Sequence, residues 1–331
     1  MNGLVYEEDK LNSGNHRKAD LHVHTKYSGF SKYSFAQFPE SISEPDMVVK
    51  AAIRTGIDVI CITDHNSIDG AVRAKNYSAG VRGIEVVIGE EISTAEGEMI
   101  GLFLQERIEP GLCAMETAEL IHDQGGIAIA PHPFSPYCPC LGHKVNDLDL
   151  DGIEVFNAIH RDPYSNRLAL RENLAYGKAS TGGSDAHSLE MVGNAYTTFS
   201  GITADDLRMS ILRKKTSFGG KTTSIGACIR WSTGVAINTG TAIHRSLRGN
   251  IKQEDVLETR IHRIKKRNKI IGLLGAAFYL ATPTPEISGA IGEFIIRRKA
   301  RKIWDEQQAF QGNLTNLRTL PLANDANVPT K

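Results

Sequence analysis

Cysteine is scarce in this chain: 5 of 331 residues, too few for a disulfide scaffold. The first twenty residues, MNGLVYEEDKLNSGNHRKAD, contain no apolar run of the kind a secretory signal carries, so a reducing cytoplasm is the expected compartment. Gly and Pro are not in excess, at 31 and 12, and 41% of positions are hydrophobic, which excludes collagen-like and disordered chains. The length suits one domain of roughly 200 to 250 residues with a smaller appendage, or two ordinary domains. Net charge is also lacking, with 38 Lys plus Arg against 38 Asp plus Glu, but the balance is uneven along the chain. Residues 221–331 carry 18 basic and 8 acidic side chains, leaving 20 and 30 in residues 1–220. An acidic front suits metal cations, and a basic back suits phosphate or an anionic surface.

Short apolar runs alternate with amphipathic stretches from Ala19 to about Phe218, which predicts a β/α domain over 19–219 after an N-terminal extension, 1–18. Seven strands are expected: Ala19–Thr25, Ile57–Thr63, Glu85–Ile92, Ile127–Pro133, Gly152–Ala158, Ala179–Asp185 and Ala195–Phe199, with an extra one at Met99–Leu104. Ser43 is the expected cap of a helix that has Pro45 in its first turn and ends at Gly56. Further helices fit Met115–Asp123, Tyr164–Tyr176 and Thr203–Lys214. This alternation alone does not separate an open sheet from a closed barrel.

The alternation stops after Gly219. A Gly/Thr/Ser-rich stretch leads to a basic helix-like segment, Glu254–Lys269, and then to 27 residues without Lys or Arg, interrupted by Pro283 and Pro285. Arg297, Arg298, Lys299, Arg301 and Lys302 close this segment, and the polar residues from about Gln307 are expected to fray. Each half of the apolar stretch is shorter than the roughly 20 residues of a spanning helix. Three readings compete for residues 220–331: soluble packing or homo-oligomer formation first, peripheral membrane contact through 254–302 second, and nucleic-acid binding third.

The chemistry-bearing residues fall at the ends of the expected strands. His22 and His24 are two apart, so on one strand both imidazoles face the same side. The second strand ends Thr63-Asp64-His65, the third Gly89-Glu90-Glu91 and the fourth Pro131-His132-Pro133, while the sixth leads into Ser184-Asp185-Ala186-His187. Imidazoles and carboxylates delivered together to one face suit Mn²⁺, Zn²⁺ or Fe²⁺.

The motifs DLHVHTKYS, ITDHNS, GEE, PHPF and GSDAH, in this order, resemble those of the PHP (polymerase and histidinol phosphatase) superfamily over about residues 19 to 218. The resemblance implies a distorted seven-stranded β/α barrel, followed here by a smaller basic, mainly helical C-terminal region. It also implies a metal-dependent phosphoesterase site with one to three divalent ions. Carried over by motif, His22, His24, Glu90 and Asp185 would hold a first ion, His65 and His187 a second, and Glu90 with His132 would contribute to a third. Asp64, His65, Glu90 and Asp185 form the expected catalytic group, with Asp64 orienting its neighbours. Many trinuclear members carry an Asp where Gly29 stands and a His where Met99 stands. Glu96 and Glu98 are near enough to substitute, although a solvated turn is the expected explanation of both.

Arg161 and Asn157 lie on what resembles the family's substrate side, with Arg161 the expected phosphate clamp and pairing with Asp162 or Glu172 the alternative. Cys138, Cys140 and His143 make a partial zinc pattern for which a structured loop is the preferred explanation. The expected substrate is a phosphate mono- or diester: a nucleotide, an oligonucleotide end or a phosphorylated metabolite. The alternatives are an amidohydrolase-like metal hydrolase and a non-catalytic barrel that binds RNA or membrane.

Overall fold

A computed structural model of the chain describes residues 5–7, 16–30 and 38–318, so most of the expected extension 1–18 lies outside the described residues. In chain order the elements begin with strands β1 (Val5–Glu7) and β2 (His16–Asp20), helix α1 (Pro45–Arg54), β3 (Val59–Ile62), α2 (Asp69–Ser78), β4 (Glu85–Ser93) and β5 (Glu98–Leu102). They continue with α3 (Ala114–Asp123), β6 (Ile127–Ala130), β7 (Gly152–Asn157), α4 (Ser165–Tyr176), β8 (Ala179–Gly183), β9 (Ala195–Ser200), α5 (Ala204–Leu212) and β10 (Ser217–Lys221).

Among the described residues the sheet has ten strands in the order β1-β10-β9-β2-β3-β4-β5-β6-β7-β8, and nine when the three-residue β1 is set aside, against seven expected plus the extra one at Met99–Leu104. Strands β2, β3 and β4 run parallel, as do β6, β7 and β8, while β5 enters antiparallel between the two sets. The extra strands arise where β10 returns antiparallel along β9 and where β5 turns back from β4. Strands β3 (VICI) and β6 (IAIA) are buried throughout, the pattern of strands covered on both faces.

The β8 end of this order returns to β9. The hydroxyl of Thr197 on β9 accepts from Gly182 N on β8 at 2.9 Å and donates to Gly182 O at 3.0 Å, so the sheet nearly closes into a barrel. Any side chain at 182 would put its Cβ 2.8 Å from Tyr196 O, which is why glycine stands where the strands meet. On one side, Val48, Val49 and Ala52 of α1 and Ala71 and Ala74 of α2 pack with Ile60 and Ile62 of β3.

Two local expectations need correction. Strand β2 ends at Asp20, so His22 and His24 lie just beyond it, with Val23 held by a bridge to Ala186. Helix α1 is preceded by Glu44 and carries no side-chain cap; Ser43 accepts Lys26 N through its carbonyl instead.

The Gly/Thr/Ser-rich stretch is a 23-residue helix, α6 (Ile225–Leu247), followed by α7 (Val256–Arg263), α8 (Lys266–Ala281) and α9 (Thr284–Arg318). Glu254–Lys269 is therefore broken between α7 and α8, and the helix continues beyond Gln307, where fraying is expected from sequence. Helix α6 is rich in weak helix formers, but its small residues let α8 approach closely, with Gly240 beside Leu273 and Ala276, and Gly272 beside Ile243.

The helical region is fastened to the barrel near the site. Arg260 donates to the carbonyls of Ser28 (2.7 Å) and Tyr27 (3.2 Å), Lys26 pairs with Asp255 at 3.2 Å, and Trp231 Nε1 donates to Glu40 O at 2.9 Å. Among the described residues no single helix is long and apolar enough to cross a membrane, and α8 and α9 meet at an 89° bend.

Candidate metal centre

Residues that follow strand ends converge on the Glu91 carboxylate. Its Oε2 lies 3.2 Å from His22 Nε2, 3.3 Å from His24 Nε2 and 3.2 Å from His65 Nδ1, while Oε1 lies 3.1 Å from His132 Nε2. Asp185 Oδ1 lies 3.2 Å from His24 Nε2 and 3.5 Å from His22 Nε2. The His187 ring is 4.4 Å from that of His24, and its Nδ1 faces Asp185 O at 2.9 Å, leaving Nε2 turned away from that contact. His22, His24, His65, His132, Asp185 and His187 are thus brought together as the sequence suggests.

Glu90 is not among them. Successive side chains on β4 alternate between faces, and Glu90 turns the other way, accepting Ile108 N at 2.9 Å with Arg107 at 3.8 Å. The place in the cluster expected for Glu90 is therefore occupied by Glu91. A parallel bridge between His65 and Glu91 sets the register that brings these two side chains to the same face.

Glu98 also differs from expectation. It is 6% exposed rather than part of a solvated turn, and it approaches His65 Nδ1 (3.8 Å) and His132 Nε2 (3.9 Å). It supplies a carboxylate beside Met99, whose side chain is buried in the core. Glu96 is used elsewhere, accepting Ala114 N at the start of α3.

Outer partners hold these groups in place. Glu154 faces His22 Nδ1 at 3.1 Å and accepts His132 N at 2.8 Å, while Ser28 Oγ faces His24 Nδ1 at 2.9 Å. Asn157 donates to Asp185 Oδ2 (3.1 Å) and Glu154 Oε2 (2.9 Å), so its amide is engaged by two carboxylates of the cluster. Asp64 accepts Thr25 Oγ1 at 2.6 Å and orients the loop after His24. His132 and Asp185 have φ of 28° and 50°, a left-handed backbone that costs energy in a non-glycine residue and concentrates at functional sites.

Arg161 donates to Thr223 O and faces Glu293 at 3.6 Å. The Cys138, Cys140 and His143 loop forms no ligand group among the described residues: His143 Nδ1 faces Tyr176 OH at 2.8 Å, and Cys140 Sγ lies 3.6 Å from Ser135 O. His160 was not singled out by sequence. It is fully buried beside His132, with ring centroids 5.7 Å apart, and neither of its nitrogens has a hydrogen-bond partner.

The electrostatics are those of buried carboxylates and imidazoles in mutual contact. Burial disfavours ionisation of Asp185 and Glu91, yet the surrounding imidazoles hold both well below the usual carboxylate range. Burial likewise opposes protonation of His22, but Asp185, Glu91 and Glu154 outweigh it and raise its pKa; His132 is raised to about 9 by Glu91 and Glu98 against the same penalty. Burial and the neighbouring His187 push His24 down to about 3. Its Nε2 is buried without a hydrogen-bond partner, between two carboxylates. Four sets of donor atoms, His24/His65/His187, His22/Glu91/His132, His22/His24/Asp185 and His65/Glu91/Glu98, each lie mutually within 4.8 Å. Mixed imidazole and carboxylate donors at this spacing fit divalent transition metals.

The PHP domain family matches residues 20–170, and the PHP-associated family matches 163–216. An uncharacterized protein of Methanocaldococcus jannaschii is 56% identical over 155 residues, 47% of this chain and 90% of its own length. A second from that organism is 33% identical over 213 residues, 60% of this chain and 80% of its own length. Among solved structures, PsfC from Pseudomonas syringae is 20% identical, with 68% of this chain and 98% of that one covered and a TM-score of 0.48. A lesion-specific endonuclease from Pyrococcus furiosus is 16% identical, with 60% and 56% covered and a TM-score of 0.42. With its motif residues gathered at one end of a nearly closed barrel, the chain belongs to the PHP-domain family.

Proposed function

We propose that this protein is a metal-dependent phosphoesterase, a reading carried by the convergence of four imidazoles on the two oxygens of Glu91. His22, His24, Glu91 and Asp185 would hold one ion, His65 and His187 a second, and Glu91, His132 and Glu98 a third, with Mn²⁺, Zn²⁺ or Fe²⁺ as the matching metals. When bound, such ions supply Lewis acidity toward phosphoryl oxygens and a nucleophile at neutral pH.

The chain's own residues prepare the site. Glu154 and Ser28 fix the ring orientations of His22 and His24, and Asn157 holds Asp185 against the cluster. His160, pushed down to about 3 by burial and by His132, is a neutral imidazole whose single N–H would suit a phosphoryl oxygen. Glu98 weakens the alternative of a non-catalytic scaffold, because a buried carboxylate is present beside Met99 after all.

Metal-stripped protein re-supplied with Mn²⁺ is expected to regain hydrolysis of a phosphomonoester or a phosphodiester, and the ester preferred identifies a phosphatase or a nuclease. His22→Ala is expected to lower that turnover at least about 100-fold. Turnover that survives both stripping and His22→Ala would overturn the proposal.

A further inference from the structure

We propose that Glu40 supplies the carboxylate missing at position 29 and is a ligand of the ion on the His65–His187 side. This assignment rests on the metal-centre reading above. Among the described residues, a Cβ at Gly29 would have nothing within 4 Å, so none of their side chains fills position 29. The chain returns to this point at Glu40, whose N donates to Gly29 O at 3.2 Å, next to a bridge between Phe30 and Pro39. Glu40 thereby sits across from the residue whose side chain is absent. Its Oε2 is buried, lies 3.3 Å from His65 Nε2, and has no hydrogen-bond partner among the described residues.

Two donors sharing one ion at about 2.1 Å each stand roughly 3 Å apart, so this contact fits a common cation better than the misaligned direct bond. The position is held from the C-terminal region. Trp231 Nε1 donates to Glu40 O at 2.9 Å, and its ring lies 5.1 Å from that of His187, the other imidazole on this side.

Metal counting on the full chain, loaded with Mn²⁺ and cleared of loosely held ions, tests the assignment. Glu40→Gln is expected to retain one ion fewer per chain than the wild type, or to bind the last ion at least tenfold more weakly. Glu40→Asp should restore part of the loss, and thermal unfolding of the metal-free variants should match the wild type. Equal stoichiometry and affinity in Glu40→Gln and wild type would overturn this assignment while leaving the metal centre intact. A wild-type protein that takes up no Mn²⁺, Zn²⁺ or Fe²⁺ would sink the metal-centre reading itself.

A separate observation concerns helices α8 and α9. Leu274, Phe278, Ile287, Ile291, Phe294 and Ile295 are each 46% to 67% exposed, a concentration of bare apolar side chains about the 89° bend. Lys265, Lys266 and Arg267 precede this surface, and Arg297, Arg298, Lys299, Arg301 and Lys302 follow it. The acidic residues between these clusters are Glu286 and Glu293, and Glu293 is engaged by Arg297 and Arg161. We infer that this bent pair rests in an anionic lipid surface, its apolar apex in the acyl boundary and its cationic flanks at the phosphates. A second copy apposed through the same face would set like charges together, which argues against it as the occupant.

Flotation of the full chain with vesicles of phosphatidylcholine containing phosphatidylglycerol is expected to recover the protein, at least tenfold more than with phosphatidylcholine alone. The double change Leu274→Glu and Phe278→Glu should abolish recovery without altering metal content. Absence of flotation with the anionic vesicles would overturn the inference, as would a concentration-dependent dimer in sedimentation that the same double change dissociates.

Discussion

Glu91→Gln is expected to lose turnover by at least about 100-fold together with bound metal, while Glu90→Gln keeps its metal content and its activity. The two residues are adjacent and chemically identical, so the contrast depends only on the face each occupies. Both oxygens of Glu91 face imidazoles, and an amide there would present a donor where His22, His24 or His65 requires an acceptor or a shared cation. Glu90 meets Ile108 N, a contact that a glutamine oxygen can still accept.

Burial raises the Glu90 carboxyl to about 7, above its ordinary 4.5. The folded state therefore binds more protons than the unfolded state between those values, and this group lowers stability as pH rises through that window. Glu90→Gln is accordingly expected to be no less stable than wild type at pH 8 by chemical denaturation. Metal loss in Glu90→Gln with retention in Glu91→Gln would reverse the assignment.

Gly183→Ala is expected to reduce both stability and metal uptake. An added Cβ would lie 2.5 Å from Glu154 Oε1 and 2.5 Å from His22 Cβ, closer than real contacts allow. One of these neighbours must move, and Glu154 is the group that orients His22 and holds His132 N. Overpacking of this kind costs about 1–3 kcal/mol, and a shift of about 1 Å in a site residue can cost 10²-fold in rate. Denaturant midpoints and Mn²⁺ titrations check this, and a variant equal to wild type in both would show that the barrel yields at this point without disturbing the site.

The site was legible because HxH, TDH, PHP and SDAH put rare side chains at the ends of apolar runs. The GEE motif could not be resolved in the same way, since choosing between Glu90 and Glu91 requires the register of β4 against the loop carrying His65. Glu98 and Glu40 are not legible in the sequence for a different reason. A carboxylate close to a turn in sequence looks solvated until the neighbouring strands bury it, as happens to Glu98 on β5. The role proposed for Glu40 depends on a chain reversal that no local pattern announces.

The barrel strands with continuous apolar runs were readable, whereas β10, with its two glycines, was not. Helix α6 was hidden by its Gly, Ser and Thr content. Its stability comes from packing on α8, a tertiary effect that outweighs intrinsic propensity.

The link between Arg260 and the carbonyls of Tyr27 and Ser28 joins parts of the chain more than 230 positions apart. During synthesis, every imidazole and carboxylate of the cluster will have left the ribosome by residue 187, while the loop that follows His24 still lacks its clamp. Such distant closures come late in folding, because the intervening chain must be ordered before they are rewarded. The loop after His24 is thus left unclamped until helix α7 emerges, well after the last residue of the cluster.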